Sequence, residues 1–423
     1  MSSFTRKSSR PILAIALALS TLAAVSGCGA FDLPQARPCA WLDGASGDPG
    51  QDGPRTVVLV DRSPSTRPGK TPALGKRVPD WAGTLLASQQ LAPSEIEGGL
   101  LSLAGFDGTR ATVDWEVDRA SVAAVKGNDT LKKDRWDARR RCLDERLRQL
   151  STRTPGTVAT DVLGALSAGA DQLGSGPGRR RILLATDGLA NTGCTDLRSA
   201  GFDGSAEITE TVRRCRDEGE LPDLKGAEVS LVGIGHVAQG ASPSSPQTAW
   251  LTSLWTKLCQ ASGASECKVT AAARTRRADS GGAMAKGEPE VRFPAVSERP
   301  AGRITTLTLP GSVLFATDRA ELTSQARGTL DAAARRIEQL SPLSVAVSGH
   351  TDSRGTEQRG RELSRARAEA VRAALVQRGI TVASARGYSD GRPRCTPEYR
   401  HGTPDYAAMA CNRRVEIAVS VRR

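Results

Sequence analysis

Residues 346 to 368 read AVSGHTDSRGTEQRGRELSRARA. A short apolar strand ends in Gly349-His350-Thr351-Asp352, a polar loop containing glycine follows, and a helical stretch brings in Leu363, Ser364 and Arg367. The loop end places one carboxylate, and the helix offers one guanidinium that can face it. Such a pair suits a zwitterion, because a carboxylate holds an ammonium and a guanidinium takes a carboxylate through two parallel hydrogen bonds. A second constellation lies far upstream. Asp61-x-Ser63-x-Ser65 puts three oxygen groups on one tight loop, Asp187 brings a second carboxylate, and Thr160 adds a hydroxyl. Carboxylates and hydroxyls completed by water suit a hard cation such as Mg²⁺.

Position for the upstream set comes from strands. Thr56 to Val60 (TVVLV) is a fully apolar run, as expected of a central parallel strand, and it delivers Asp61. Ile182 to Thr186 delivers Asp187, and Glu228 to Ile234 is a third such run. Helical stretches lie between and after them at Trp81 to Leu91, Thr160 to Leu173 and Ala249 to Ala261. Strands alternating with helices predict an α/β domain with a doubly wound, mostly parallel sheet. Ligand sites in such folds lie beyond the carboxyl ends of the strands, where Asp61 and Asp187 sit.

The downstream elements predict a smaller α+β domain. Val313-Leu314-Phe315 reads as a strand end and Thr317-Asp318 as a helix start. Leu322, Ala326, Leu330, Ala333, Ile337 and Leu340 keep helical spacing. Leu343, Val345 and Val347 alternate as a strand, Leu363, Val371 and Leu375 mark the buried face of a further helix, and Ile417 to Val421 closes the sheet.

The pattern GHTD, loop, LSxxRA resembles the OmpA-like peptidoglycan-binding domain, and Asn412-Arg413-Arg414-Val415-Glu416-Ile417 is similar to that family's closing NRRVEI. The resemblance covers residues 303 to 423. It implies non-covalent binding of the diaminopimelate of the wall peptide, with Asp352 and Arg367 as the acidic and basic ligand residues and Thr351, Asn412 and Arg413 beside them. Two positions depart from the family: Gly360 stands where Asn is usual, and Ala316 follows Phe315 where an acid is frequent. The upstream set resembles the von Willebrand factor type A domain and its metal-ion-dependent adhesion site. That resemblance implies Mg²⁺ or Mn²⁺ held by Asp61, Ser63, Ser65, Thr160 and Asp187, with an open position for the acidic side chain of a protein partner.

The N-terminus carries Arg6, Lys7 and Arg10, then an uncharged apolar run from Ile12 to Val25, then Ser26-Gly27-Cys28. That run is too short for a comfortable membrane span and has the layout of a secretory signal. Small residues before Cys28 resemble a bacterial lipobox, which implies cleavage after residue 27 and a lipid anchor on Cys28. No other run reaches the ~18 apolar residues that a helical span needs. Of nine cysteines, eight remain once Cys28 is set aside. An even number in an exported chain suits disulfides. Local spacing favours Cys395 with Cys411, Cys259 with Cys267 and Cys194 with Cys215, leaving Cys39 and Cys142 by elimination. With no CxxC and only His236, His350 and His401, thiolate zinc chemistry is disfavoured.

Net charge is +12. A basic exported protein favours anionic wall polymers or lipid headgroups, whereas few aromatics and no nucleic-acid motif argue against DNA or RNA. Residues 28 to 54 read as a tether rich in Pro, Gly, Asp and Ser. Residues 274 to 302 read as a polar linker, which sets the domains at 55 to 273 and 303 to 423. The stretch 107 to 155 is long and charged, and 131 to 150 reads as an Arg-rich amphipathic helix, either an insertion at the rim of the metal loop or an elongated solvated helix. Gly387-Tyr388-Ser389-Asp390-Gly391 matches the string GxSxG, but no helix pattern follows it, so no nucleophile elbow is expected. The sequence thus points to a lipid-anchored binding protein of the cell envelope rather than an enzyme. A sensor or assembly factor for a secretion or wall-growth machine is the alternative, and a wall hydrolase is the remote one.

Overall fold

The computed structural model describes residues 39–42, 53–67, 77–277, 290–315, 318–324 and 326–422. The signal region, Cys28, Ala316 and Thr317 lie outside these residues. The N-terminal part runs β1 (Arg55–Asp61), β2 (Arg77–Pro79), α1 (Trp81–Ala87), α2 (Pro93–Ile96), β3 (Gly99–Phe106), β4 (Asp114–Val122), α3 (Asp129–Thr152) and α4 (Val162–Leu173). It continues with β5 (Arg180–Ala185), α5 (Ser205–Asp217), β6 (Ala227–Val232), α6 (Ser245–Ala261), β7 (Glu266–Thr270) and β8 (Thr275–Arg277).

One six-stranded sheet orders these strands β4-β3-β1-β5-β6-β7. All neighbours are parallel except β4, which runs antiparallel on the edge. The apolar strands alternate between two buried faces. Val57, Leu59, Ile182, Leu184, Val229 and Leu231 pack with residues of α4, α5 and α6. Val58, Val60, Leu101, Leu103 and Leu183 pack with residues of α1 and α3. Burial on both faces is why these strands are apolar throughout and do not alternate with polar residues.

Several expectations need correcting. The charged stretch 107 to 155 hides the edge strand β4, whose polar outward residues mask its alternation. The helix after it belongs to the core layer: Cys142, Leu143, Leu147 and Leu150 are fully buried while its Arg-rich face is exposed. Thr160 does not open α4; Asp161 caps it, accepting from the Gly164 N–H at 2.7 Å. Helix α5 was not foreseen. Residues 39–42 of the expected tether form a turn packed on the core, with Leu42 buried. Cys39 is joined to Cys142, and the pairs Cys194–Cys215, Cys259–Cys267 and Cys395–Cys411 form as their spacing favours.

The C-terminal part contains β9 (Ser297–Ala301), β10 (Ile304–Pro310), α7 (Gly311–Leu314), α8 (Ala326–Gln339), β11 (Pro342–Gly349), α9 (Glu357–Val376), β12 (Ser384–Gly387), β13 (Tyr399–Arg400), β14 (Thr403–Pro404), α10 (Tyr406–Asn412) and β15 (Arg414–Val421). Its sheet orders β12-β11-β15-β10-β9. The last strand is therefore central rather than a closing edge, antiparallel to both β10 and β11. Val345, Val347, Val415, Ile417 and Val419 meet Leu330 and Ile337 of α8 and Val371 and Leu375 of α9 in one core. Residues 313 and 314 close the short α7 turn instead of a strand. Strands β8 and β9 both fall inside the segment 274 to 302.

Among the described residues no helix is long and apolar enough to cross a membrane.

Candidate functional site

β11 delivers the downstream site directly onto α9. A Cβ at Gly349 would stand 2.0 Å from the Ser364 carbonyl oxygen, so only glycine lets the strand end touch the helix there. That contact brings the Thr351-Asp352 loop beside the helix turn bearing Arg367. At Gly360, where the family usually has Asn, a Cβ would meet the Ser389 hydroxyl at 2.3 Å, so a side chain there requires that hydroxyl to turn away.

The carboxylate of Asp352 is held from two sides. Arg354 donates to its Oδ2 from Nε at 3.1 Å and from Nη2 at 2.7 Å, and the Arg354 N–H donates to Oδ1 at 3.1 Å. Arg413 donates to the same Oδ2 from Nη1. Burial pushes the Asp352 carboxyl up, but these two guanidinium groups outweigh it and hold it below the usual range. Arg367 does not bond to Asp352. Its Nε donates to the Arg319 carbonyl at 2.9 Å, and its guanidinium lies 5.1 Å over the Phe315 ring. Burial lowers the Arg367 pKa, and Asp203 is the acid that most opposes this.

Arg413 also reaches into the N-terminal part, where its Nε donates to Asp203 at 2.8 Å. Its Nη2 and the Thr351 hydroxyl are buried and find no hydrogen-bond partner among the described residues. Asn412 is bonded to a loop of its own domain. Its Oδ1 accepts from the Arg394 and Cys395 N–H groups at 2.7 and 3.0 Å, and its Nδ2 donates to the Cys395 carbonyl at 2.8 Å and to Glu398. Those four bonds fix the 394–398 loop. The motif residues are buried: Asp352 is 6 %, Arg367 4 % and Arg413 6 % exposed.

Sequence reasoning missed Arg354, Asp203 and Glu207. Arg354, two residues from Asp352, offered a local signal; the other two offered none. Glu207, at the start of α5, shapes the loop that carries Asp203. It accepts from the Gly201 N–H at 2.7 Å and from the Asp203 N–H at 3.3 Å. Burial, opposed by those bonds and by Arg413 and reinforced by the charge of Asp203, raises its pKa to about 7. A carboxyl raised above its unfolded value keeps its proton in the folded chain while the unfolded chain has lost it. Its contribution to stability is therefore lost as pH rises from its unfolded value through about 7. Glu207→Gln should remove that loss. Between pH 4.5 and pH 7.5 the variant should gain on the wild type by on the order of 3 kcal/mol in urea unfolding. A gap between the two that does not change with pH would refute this.

Of the upstream residues, Asp61, Ser63 and Ser65 share one loop, and Asp187 follows the neighbouring strand end. Asp61 Oδ1 accepts from the Ser63 N–H at 2.8 Å and Oδ2 from the Thr186 hydroxyl at 2.6 Å, which ties the ends of β1 and β5 together. The hydroxyls of Ser63 and Ser65 lie 3.0 Å apart. Thr160 is drawn in by Asn191, whose Oδ1 accepts from the Thr160 N–H at 2.8 Å and whose own N–H donates back to the Thr160 carbonyl at 3.2 Å. Asp187 Oδ1 accepts from the Leu189 N–H at 2.9 Å. Asp61 is fully buried, and burial raises its pKa. Arg62 turns inward and pairs with Asp107 at 3.3 Å and Asp114 at 2.9 Å, anchoring the loop from below. Arg67, just past it, donates to the carbonyls of Thr152 and Arg153 at 2.6 and 2.9 Å, so α3 ends at the rim of this loop. Among the described residues no cluster of three or more His, Cys, Asp or Glu could hold a metal. The expected donor set holds only two such side chains, the rest being hydroxyls, and suits a hard cation that keeps several waters.

The GxSxG string runs from the end of β12 into a turn. Ser389 is buried, its carbonyl accepts from the Thr351 N–H at 3.0 Å, and no helix follows it. His350 is buried beside Tyr388, and burial with the nearby Arg414 lowers its pKa to about 4.

Residues 314–401 match the OmpA family. Outer membrane protein P5 of Haemophilus influenzae is 35% identical over 120 residues, 27% of this chain and 33% of that protein. Outer membrane protein A of Bordetella avium is 32% identical over 133 residues, 31% of this chain and 66% of that protein. The probable lipoprotein YiaD of Escherichia coli is 31% identical over 136 residues, covering 32% and 60%. The chain thus spans about a third of the length of the first of these relatives. Among solved structures, the cell wall anchor of the T6SS from Pseudomonas aeruginosa is 29% identical, covering 30% of this chain and 88% of that one, with a TM-score of 0.26. A mixed α/β N-terminal part with a parallel sheet is therefore joined to a C-terminal OmpA-like domain.

Proposed function

We propose that this protein binds peptidoglycan non-covalently through its C-terminal domain, taking the zwitterionic end of diaminopimelate. The observation that carries this reading is the assembly of Asp352, Arg367 and Arg413 at one strand end and helix face of an OmpA-like domain. Asp352 would receive the ligand's ammonium, and the guanidinium groups its carboxylate. No bond is made or broken in this function, and the protein is read as a binder and not an enzyme. The test is sedimentation of the full chain with isolated peptidoglycan containing diaminopimelate. Bound protein should be displaced by free diaminopimelate, and retention that free diaminopimelate leaves unchanged would refute the reading.

The N-terminal part is read as a von Willebrand factor type A domain. The order of its parallel strands and the five oxygen-bearing residues beyond their carboxyl ends support this. Asp61, Ser63, Ser65, Thr160 and Asp187 would hold Mg²⁺ or Mn²⁺, and the cation would supply an open position for an acidic group of a protein partner. Millimolar Mg²⁺ should then raise the thermal midpoint of the wild type and not of Asp61→Ala, since a ligand of the folded state stabilises it. Equal midpoints with and without metal in the wild type would count against the site. Cys28 would carry the lipid anchor of an exported envelope protein, and lipid labelling that persists in Cys28→Ser would exclude it. The protein would thus tether a partner, or its membrane, to the wall.

A further inference from the structure

The wall-binding groups are covered by the chain's own N-terminal part. Asp203 lies in the loop between a 3-10 turn (Leu197–Ser199) and α5, and its carboxylate accepts from Arg413 Nε at 2.8 Å. Arg413 simultaneously grips Asp352. The side chains of Asp203, Arg413 and Asp352 are 10%, 7% and 6% exposed, so no ligand reaches them while this contact stands. The loop is shaped for the contact. Phe202, at φ 53, is buried between Trp250 and Phe293, and Glu207 holds the Gly201 and Asp203 N–H groups. Gly201 packs directly on α10, where a Cβ would stand 2.6 Å from the Tyr406 carbonyl oxygen and 3.1 Å from Arg413 Nη2.

We propose that Asp203 stands in for the ligand's carboxylate, so that the docked chain holds its own wall-binding site closed and binding requires this contact to open. The inference rests on the wall-binding reading above. Its chemistry is that of the ligand: a single carboxylate placed on Arg413 and acting on Arg367, the two guanidinium groups that would otherwise take the carboxylate of the wall peptide. The fit is partial. Arg413 Nη2 and the Thr351 hydroxyl stay buried and unpartnered among the described residues, which are the donors a larger ligand would use. A buried polar group without a partner is costly, so the closed arrangement is one that a better-matched ligand can displace.

If only a small fraction of molecules is open, the apparent affinity is weakened by that fraction, and removing the internal carboxylate restores it. Asp203→Ala in the full chain should therefore lower half-saturation on peptidoglycan sacculi by at least about tenfold. Gly201→Ala opens the contact by sterics with every charge in place and should act in the same direction. Circular dichroism and intact disulfides check that both variants fold. Each variant is also paired with Asp352→Asn. Tighter binding by both variants, abolished by Asp352→Asn, supports the proposal. Wild-type affinity in both, still sensitive to Asp352→Asn, overturns the closed site and leaves wall binding standing. Loss of binding in Asp203→Ala also overturns it, since Asp203 would then belong to the ligand site. If Asp352→Asn changes nothing in any background, the wall-binding reading itself falls, and the proposal with it.

Discussion

Trp255→Ala should lower the stability of the N-terminal part by about 3–5 kcal/mol, the range for truncating a large buried aromatic. Trp255 is 1 % exposed, and its indole N–H donates to the Gly188 carbonyl at 3.0 Å. A Cβ at Gly188 would meet that nitrogen at 2.7 Å, so the ring fits directly beneath the loop that carries Asp187. Truncation leaves a cavity and a buried carbonyl without its donor. Trp255→Phe keeps most of the volume and loses the hydrogen bond, so it should cost about 1–3 kcal/mol. All six tryptophans precede residue 256. The fluorescence of those that remain therefore follows unfolding of the N-terminal part alone in urea. A loss below about 1 kcal/mol in Trp255→Ala would show that other contacts hold the Asp187 loop.

Asp352→Ala and Arg367→Ala should each weaken peptidoglycan binding by roughly 2–5 kcal/mol, because each leaves the partnering charge of the ligand unpaired in a desolvated site. Asp352→Asn is the gentler test, since it keeps the shape and an acceptor for the Arg354 N–H while removing the charge. Arg367→Lys should rescue poorly. The Arg367 guanidinium lies over Phe315 with its Nε already used on Arg319, leaving its remaining edge for a two-toothed contact that a point charge cannot make. The measurement is half-saturation on sacculi, in the wild type and in the Asp203→Ala background, where the window is widest. Binding undiminished in the Asp352→Ala, Arg367→Ala double variant would mean that net positive charge alone holds the protein to the wall.

These residues show how far the sequence reached. Asp352 and Arg367 stood out because a strand-loop-helix unit is local: the run from Gly349 to Arg367 folds on itself, and its spacing is its geometry. The same holds for Asp61, Ser63 and Ser65 at the end of an apolar strand. The four disulfides were legible because close pairs in sequence are favoured partners and the last pair followed by elimination. Strand β4 was not legible, because it is an edge strand whose charged outer residues hide its alternation. Helix α5 carries a signal that its charge only masks: Ile208, Thr211, Val212 and Cys215 keep helical spacing inside a highly charged stretch.

By itself, then, the sequence determined what is local and periodic: which strands are buried on both faces, which loops carry oxygen ligands, and which helix turn carries the key guanidinium. Tertiary structure decided what those groups touch. It gave Asp352 to Arg354 and Arg413, used Asn412 to fix a loop, and set Asp203 against Arg413 across 210 positions of chain. No spacing rule reports such a contact. A lone Asp between Phe202 and Gly204 has no periodic signature, and its partner is chosen by how two distinct hydrophobic cores pack, not by any neighbour in sequence.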